Sequence, residues 1–284
     1  MANCMIGFPN RADSATLSGG SWAAGLPLNN LKNRILGKVA RSATDATADT
    51  QFDIDLGAEK KIRIAALVNH NFSLDAKYRL RGSTVSNFAT SVYDSGWLPV
   101  WPAVYPSQSL DWEDPNWWSG QYTDEQRAGY TATLVEAEPA NVLARYWRWE
   151  IDDTTNAAGY VSIGRLFIGP AWQPTYNMEY GARAAWETKT EIQEAIGGAE
   201  FFQRRTPFRV QNITLDMTLD EGLANAFEIQ RRAGIDAEVL WVADPDDTVH
   251  ALRRRYLARL RKLSAIEHPY FNNNKTAFEL KELL

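Results

Sequence analysis

A chain of 284 residues, at roughly 100–200 residues per domain, implies two domains, and its 45% hydrophobic content suffices for ordinary packed cores. The formal net charge of −5 argues against nucleic acid as the main partner of the whole chain. A single cysteine, Cys4, excludes an internal disulfide and a cysteine metal cluster.

Reading from the N-terminus, MANCMIGFPNRAD lacks the apolar run of a signal peptide. No stretch approaches the roughly 18 apolar residues of a membrane span. The expectation is a protein made in a reducing cytoplasm, not inserted in a membrane and not exported by the usual secretory route. QFDIDLG (51–57) alternates Phe52, Ile54 and Leu56 with polar residues, predicting a half-buried strand that ends in a turn at Gly57. KIRIAALVNH (61–70) starts in alternation and turns fully apolar, as a central strand does. AKYRLRGST (76–84) and ARYWRWEID (144–152) predict two more strands. YVSIGRLFIG (160–169) shifts phase near Gly164, where a bulge is expected. Many short strands punctuated by Gly, Asn and Asp predict an antiparallel sandwich over residues 1–172.

Residues 94–130 interrupt this pattern. They hold Trp97, Trp101, Trp112, Trp117 and Trp118 among the 11 tryptophans of the chain, and Pro99, Pro102, Pro106 and Pro115. Proline blocks regular ladders, so the segment reads as a long loop packed by its own aromatics, and loops of this length are commonly functional. Its indoles have two readings. They stack on the apolar faces of sugar rings of a cell-surface glycan, or they pack on their own loop and on a neighbouring subunit.

PAWQPTYN (170–177) is the expected linker, and a second domain follows over 178–284. WETKTEIQEA (186–195) and PFRVQNITLDMT (207–218) predict strands, separated by Gly197-Gly198 and AEFFQ. Thr218 to Glu221 has the form of a capping box, with Thr218 as N-cap and Glu221 reaching back, and predicts a helix over 219–233 that ends at Gly234. EVLWV (238–242) predicts a strand, DPDD (244–247) a turn, and KTAFELKEL (275–283) the closing strand. TVHALRRRYLARLRKL (248–263) fits both a helix and a strand.

No catalytic signature emerges. His70, His250 and His268 are scattered, and no nucleophile elbow, phosphate loop or dinucleotide fingerprint occurs. Asp111, Glu113 and Asp114 flank tryptophans as carboxylates do in a glycosidase cleft, but adjacent positions in one loop do not create two carboxyls across a scissile bond. The reading is therefore of a non-enzyme without a cofactor. Arg253, Arg254, Arg255, Arg259 and Arg261, with Lys262, form a basic cluster. It is read as pairing with acidic neighbours such as Glu191, Glu194 and Asp220, within or between subunits, and is assigned to a subunit interface, with contact to passing DNA as the other reading.

LPLNNLKN (26–33), QFDIDLGAEKKIRIAALVNHNFS (51–73), YRLRGS (78–83) and RYWRWEIDDTTNAAGYVSIGRLFIG (145–169) resemble galactose-binding-like, or discoidin-like, β-sandwiches. The order of elements after residue 178, with EVLWVADPDD, RYLARL and FELKEL, resembles the tail-tube-type β-barrel or sandwich domain, with one helix, of long-tailed bacteriophages. Together the halves resemble a siphophage distal tail or baseplate protein. That resemblance implies a mainly β structural protein of the virion tail tip, made in the host cytoplasm. It would form a homo-oligomeric, hexameric ring joining the tail tube to other tail-tip proteins, with DNA only in transit through the lumen. The discoidin-like resemblance also raises a structural calcium, for which Asn10, Asp13 and Asp45 or Asp49 offer oxygens; no metal site is assigned. Two alternatives stay open: a carbohydrate-binding attachment module that recognises host surface glycans, and a glycan-degrading enzyme.

Overall fold

The computed structural model describes residues 2–106 and 108–284, and the protein is mainly β. It divides into two compact units. Unit 1 gathers residues 1–172 with Leu240–Tyr256, and unit 2 holds Gln173–Val239 and Leu257–Leu284. Unit 2 begins at Gln173, and Leu240–Tyr256, from within the expected second domain, belongs to unit 1.

Unit 1 carries β1 (Met5–Gly7), β2 (Thr16–Ser18), β3 (Ala40–Arg41), β4 (Phe52–His70) and β5 (Lys77–Ser83). β6 (Tyr93–Asp94), β7 (Leu98–Pro99), β8 (Thr133–Asp152), β9 (Ser162–Gly169) and β10 (Ala171–Trp172) follow. β4 and β8 form one long antiparallel ribbon, from Phe52 opposite Trp149 to Val68 opposite Thr133. QFDIDLG therefore does not end in a turn. β4 runs on through Gly57, whose φ of +76° is open to glycine, and the ribbon's register shifts between Asp55 and Lys60.

The two halves of the ribbon take different neighbours. Around Phe52–Asp55, β2 flanks β4 and β5 flanks β8, with Leu17 opposite Ile54 and Leu80 opposite Trp149. Around Ile64–His70, β9 flanks β4 and β3 flanks β9, with Leu67 opposite Leu166 and Ala40 opposite Ile163. Alternation turns Phe52, Ile54, Leu80, Trp147 and Trp149 into the same core as Leu67, Leu134, Ile163 and Leu166, which makes the sandwich. On the opposite face, Arg145 and Arg148 grip Asp55 and Asp53 with paired guanidinium hydrogen bonds, which accounts for the charged half of the alternation. No bulge forms at Gly164, because β4 and β9 keep one register from Val68–Arg165 to His70–Ile163. The glycine is needed for close approach instead: a Cβ there would lie 2.6 Å from the Leu36 carbonyl oxygen.

The returning stretch completes unit 1. Leu240, Trp241 and Val242 pair with Gly7, Ile6 and Met5, and all six are buried or nearly so. The ambiguous segment 248–263 is both things in turn, a short helix at Ala251–Arg254 and a strand at Arg255–Lys262.

Numbering continues with β11 (Arg183–Glu187), β12 (Glu191–Glu194), β13 (Glu200–Gln203), β14 (Phe208–Thr218), β15 (Glu238–Val242), β16 (Arg255–Lys262), β17 (Glu267–Tyr270) and β18 (Asn273–Glu282). Within unit 2, β11, β14, β18 and residues 257–262 of β16 form an antiparallel sheet, with Ile213 opposite Phe278 and Arg259 opposite Lys281. The strand expected over 186–195 is broken in two. The Thr190 hydroxyl accepts from its cross-loop neighbour Arg205 N at 3.0 Å, and the chain turns into a separate hairpin of β12 and β13. AEFFQ, read as a spacer, supplies β13.

The helix over 219–233 forms in three pieces: an α-helical turn at Leu219–Glu221, a π-helical stretch at Gly222–Phe227 and an α-helix at Glu228–Ala233. Thr218 Oγ1 accepts from Glu221 N at 3.3 Å, as an N-cap should. The box does not close, because Glu221 Oε1 accepts from Thr175 N at 3.0 Å. Gly222 lies against Asn274, where a Cβ would sit 2.3 Å from Nδ2. Among the described residues, no helix is long and apolar enough to cross a membrane.

Candidate functional site

The tryptophan-rich segment of unit 1 is an ordered loop with a buried root and an exposed crown. Trp101 is the root. It is 7% exposed, its indole Nε1 donates to the Phe72 carbonyl at 3.3 Å, and its ring meets Tyr122 edge-on at 6.3 Å. His70 stacks on Phe72 at 4.1 Å and tilts against Trp101 at 5.7 Å. Burial pulls the His70 imidazole down to a pKa of about 3, with the positive charge of Arg127 adding to the effect.

Polar side chains fasten the rest. Gln121 Nε2 donates to the carbonyls of Leu74 and Trp101, at 3.1 and 2.7 Å. Asn116, itself buried, donates from Nδ2 to the Gln121 carbonyl at 2.6 Å. Val104 N and Tyr105 N both donate to the Gly120 carbonyl. Gly120 has φ +61°, and a Cβ on it would sit 2.9 Å from the Tyr105 carbonyl oxygen. A closed capping box between Thr123 and Gln126 then starts a short helix, Asp124–Arg127. The sequence pointed to the aromatics of this loop, but not to Asn116, Gln121 and Gly120. Polar and glycine residues amid tryptophans were the signal for them.

The crown is Trp112, Trp117 and Trp118. Trp112 meets both others edge-on at 5.8 Å, and Trp112 and Trp118 remain 70% and 85% exposed. Asp114 holds the turn beneath them: its carboxylate accepts from Asp111 N at 2.9 Å and its carbonyl from Trp117 N at 3.0 Å. A cleft of about 610 Å³ opens on the same loop, lined by Asp114, Asn116, Ser119, Thr123, Asp124 and Gln126, among others, but not by the three indoles. Flat apolar rings on one loop with hydroxyl, amide and carboxylate groups can hold a ligand that has both apolar faces and many hydroxyls.

The five tryptophans singled out from sequence therefore separate. Trp112, Trp117 and Trp118 are brought together. Trp97 is 45% exposed and belongs to the turn before β7. Trp101 is inside the loop and unavailable as a contact. Asp111 and Glu113 are exposed, and Asp114 is occupied with backbone.

The arginine cluster also separates. Arg253, Arg254 and Arg255 lie in unit 1, Arg259 and Arg261 in unit 2. Arg254 pairs with Asp247 at 2.8 Å, and Arg255 donates to the carbonyls of Pro245 and Asp247. Arg261 pairs with Glu187 at 2.7 Å and Glu279 at 3.2 Å. These partners replace the expected Glu191, Glu194 and Asp220. Of the residues considered for calcium, Asn10, Asp13 and Asp49 are likewise engaged. Asn10 Oδ1 accepts from Ala12 N and Ile168 N, Asp13 pairs with buried Arg165, and Asp49 accepts from the Thr44 hydroxyl. Among the described residues, no three His, Cys, Asp or Glu side chains gather as metal ligands.

No family model and no curated protein matches the chain. Solved structures similar to it include a family 32 carbohydrate-binding module of NanJ from Clostridium perfringens in complex with galactose, at 12% identity over 59% of this chain and 99% of that one, with a TM-score of 0.37. The lectin domain of lectinolysin complexed with Lewis B antigen is similar at 15% identity over 57% of this chain and 96% of that one, also with a TM-score of 0.37. A family 89 glycoside hydrolase from Clostridium perfringens is similar at 11% identity over 60% of this chain, with a TM-score of 0.38, and the chain spans only 15% of that enzyme's length.

Proposed function

We propose that the protein binds carbohydrate through the loop of unit 1, without catalysis. The observation that carries this reading is the exposure of Trp112 and Trp118, at 70% and 85%, on a loop whose other parts are pinned. Indoles seek burial, and two left in water on a rigid support are preorganised for a flat apolar partner. The cleft on the same loop supplies the hydrogen-bonding groups that sugar hydroxyls need. A glycan microarray screened with the intact chain and with Trp112→Ala/Trp118→Ala tests the reading. Selective binding by the parent and its loss in the variant support it; equal binding by both, or none by the parent, overturns it.

A second reading is favoured by unit 2. The β12–β13 hairpin leaves Ile192, Ile196, Phe201 and Phe202 between 54% and 110% exposed, and Tyr270 and Phe271 are exposed at the β17–β18 turn. Apolar surface of this kind suits assembly with other chains. On this reading the chain is a structural subunit of a ring, as in a virion tail tip, with the sugar-binding unit as its attachment device. Electron microscopy of native particles tests it: a position away from a ring at the tail tip contradicts it.

A further inference from the structure

A second cavity, of about 460 Å³, lies wholly in unit 2, and its chemistry differs from that of the tryptophan loop. Lys189, Arg205, Arg259 and Lys281 line it, with Phe208 and Leu283 giving apolar wall. Its two side-chain carboxylates do not balance them, and a carboxylate at Leu284, which also lines the cavity, would still leave cations in excess. Glu282 is buried and accepts from Arg209 N at 2.9 Å, from Nε at 2.8 Å and from the far guanidinium nitrogen. That leaves Glu191, which is exposed on β12. Glu187, just outside, is held by Arg261.

The arrangement is built into the sheet. Arg259 on β16 and Lys281 on β18 stand directly opposite in register, so both side chains project from the same face. Like charges at that position oppose strand pairing. Among the described residues neither forms an ion pair, and only the charge of Glu187 acts on Lys281 in the opposite sense: Arg259 donates to the Ile235 carbonyl at 3.0 Å, and the Lys281 ammonium sits 4.0 Å over the Phe208 ring. Burial, together with the neighbouring Lys189, Arg259 and Arg261, holds the Lys281 ammonium below its usual range. Two guanidinium forks and two point charges around one concave volume form a receptor for a compact ligand with several negative oxygens.

We propose that this cavity binds a small polyvalent anion, a phosphate ester or a polycarboxylate, between Lys189, Arg205, Arg259 and Lys281. The site is independent of the sugar-binding reading. Phosphate and carboxylate share the chemistry that these cations recognise, and the probes distinguish the two sources. Isothermal titration calorimetry of the full chain with pyrophosphate and with citrate, each against sodium chloride at equal ionic strength, makes the test. Saturable one-to-one binding of at least one probe is expected, weakened at least tenfold in Lys281→Met and in Arg259→Gln and unchanged in Trp118→Ala. Without anion, Lys281→Met should melt no lower than the parent, since it removes a like-charge neighbour and keeps an apolar stem over Phe208. Added pyrophosphate or citrate should raise the parent's melting temperature more than the variant's. Heats no larger than those of chloride, or binding unaltered in both variants, overturn the proposal.

Discussion

His70 gives the loop's root a predicted sensitivity to acid. In the folded chain its pKa is about 3, against 6.5 for an imidazole in water, and burial is the main cause. The unfolded chain therefore binds a proton that the folded chain refuses between those values. The associated stability is fully present above about pH 6.5 and is lost as pH falls from there towards 3. At one pKa unit per roughly 1.4 kcal/mol, the loss between pH 7 and pH 5 is about 2 kcal/mol. Carboxylates with lowered pKa values add their losses mainly at more acid pH, and Glu138, raised by burial, acts in the opposite sense, so the histidine's share is the difference between parent and variant. The assay is urea unfolding followed by tryptophan fluorescence. It reports on unit 1, because only Trp186 among the 11 tryptophans lies in unit 2. His70→Asn keeps an acceptor for Phe72 N, at some constant cost, and should show a pH 7 to pH 5 loss smaller than the parent's by about 2 kcal/mol. Parallel pH profiles for parent and variant would refute the argument.

Other substitutions test the fold and the loop's support. Arg209→Met leaves Glu282 buried without its cation and should destabilise unit 2 by about 3–5 kcal/mol, whereas Arg209→Met/Glu282→Met should recover most of that loss, in urea unfolding followed by far-ultraviolet circular dichroism. Thr218→Ala removes the acceptor for Glu221 N and should cost about 1 kcal/mol; an unchanged denaturation midpoint would speak against the cap. Trp101→Ala empties the root of the loop and should cost about 3–5 kcal/mol in unit 1, lowering stability and ligand binding together.

Much of the sandwich was legible because its strands are long and half-buried. The alternation of Phe52, Ile54 and Leu56, and the apolar run to Val68, follow directly from a strand with one and then two covered faces. What failed were the ends. Gly57 reads as a stop, yet β4 passes through it, because β8 pairs on both sides of the kink. Gly164 reads as a bulge, but the Leu36 carbonyl, distant in sequence, needs the space. The break at Thr188–Thr190 depends on side-chain hydrogen bonds across to Arg205, which periodicity does not register. EVLWV was correctly a strand, but its last three residues pair with β1, some 235 residues earlier, and no local pattern announces such a partner.

The site was half legible for a similar reason. Tryptophan density located the loop, but an indole's fate depends on which carbonyls and rings surround it. Trp101 finds Phe72 and Tyr122 and disappears into the core, while Trp118 meets Trp112 and stays in water. The basic cavity left almost no trace in the sequence, since Lys189, Arg205, Arg259 and Lys281 come from four separated places.

The claim that the exposed indoles bind sugar is tested most directly at Trp118, which is 85% exposed and has no hydrogen bond to the fold among the described residues. The affinity of the intact chain for its best array glycan should be measured for parent and Trp118→Ala, with melting temperature as the control. Loss of one stacking ring should weaken binding by roughly tenfold, as expected for about 1–1.5 kcal/mol of aromatic stacking, while the melting temperature stays within about a degree. Equal affinity for parent and variant at equal stability would contradict the account.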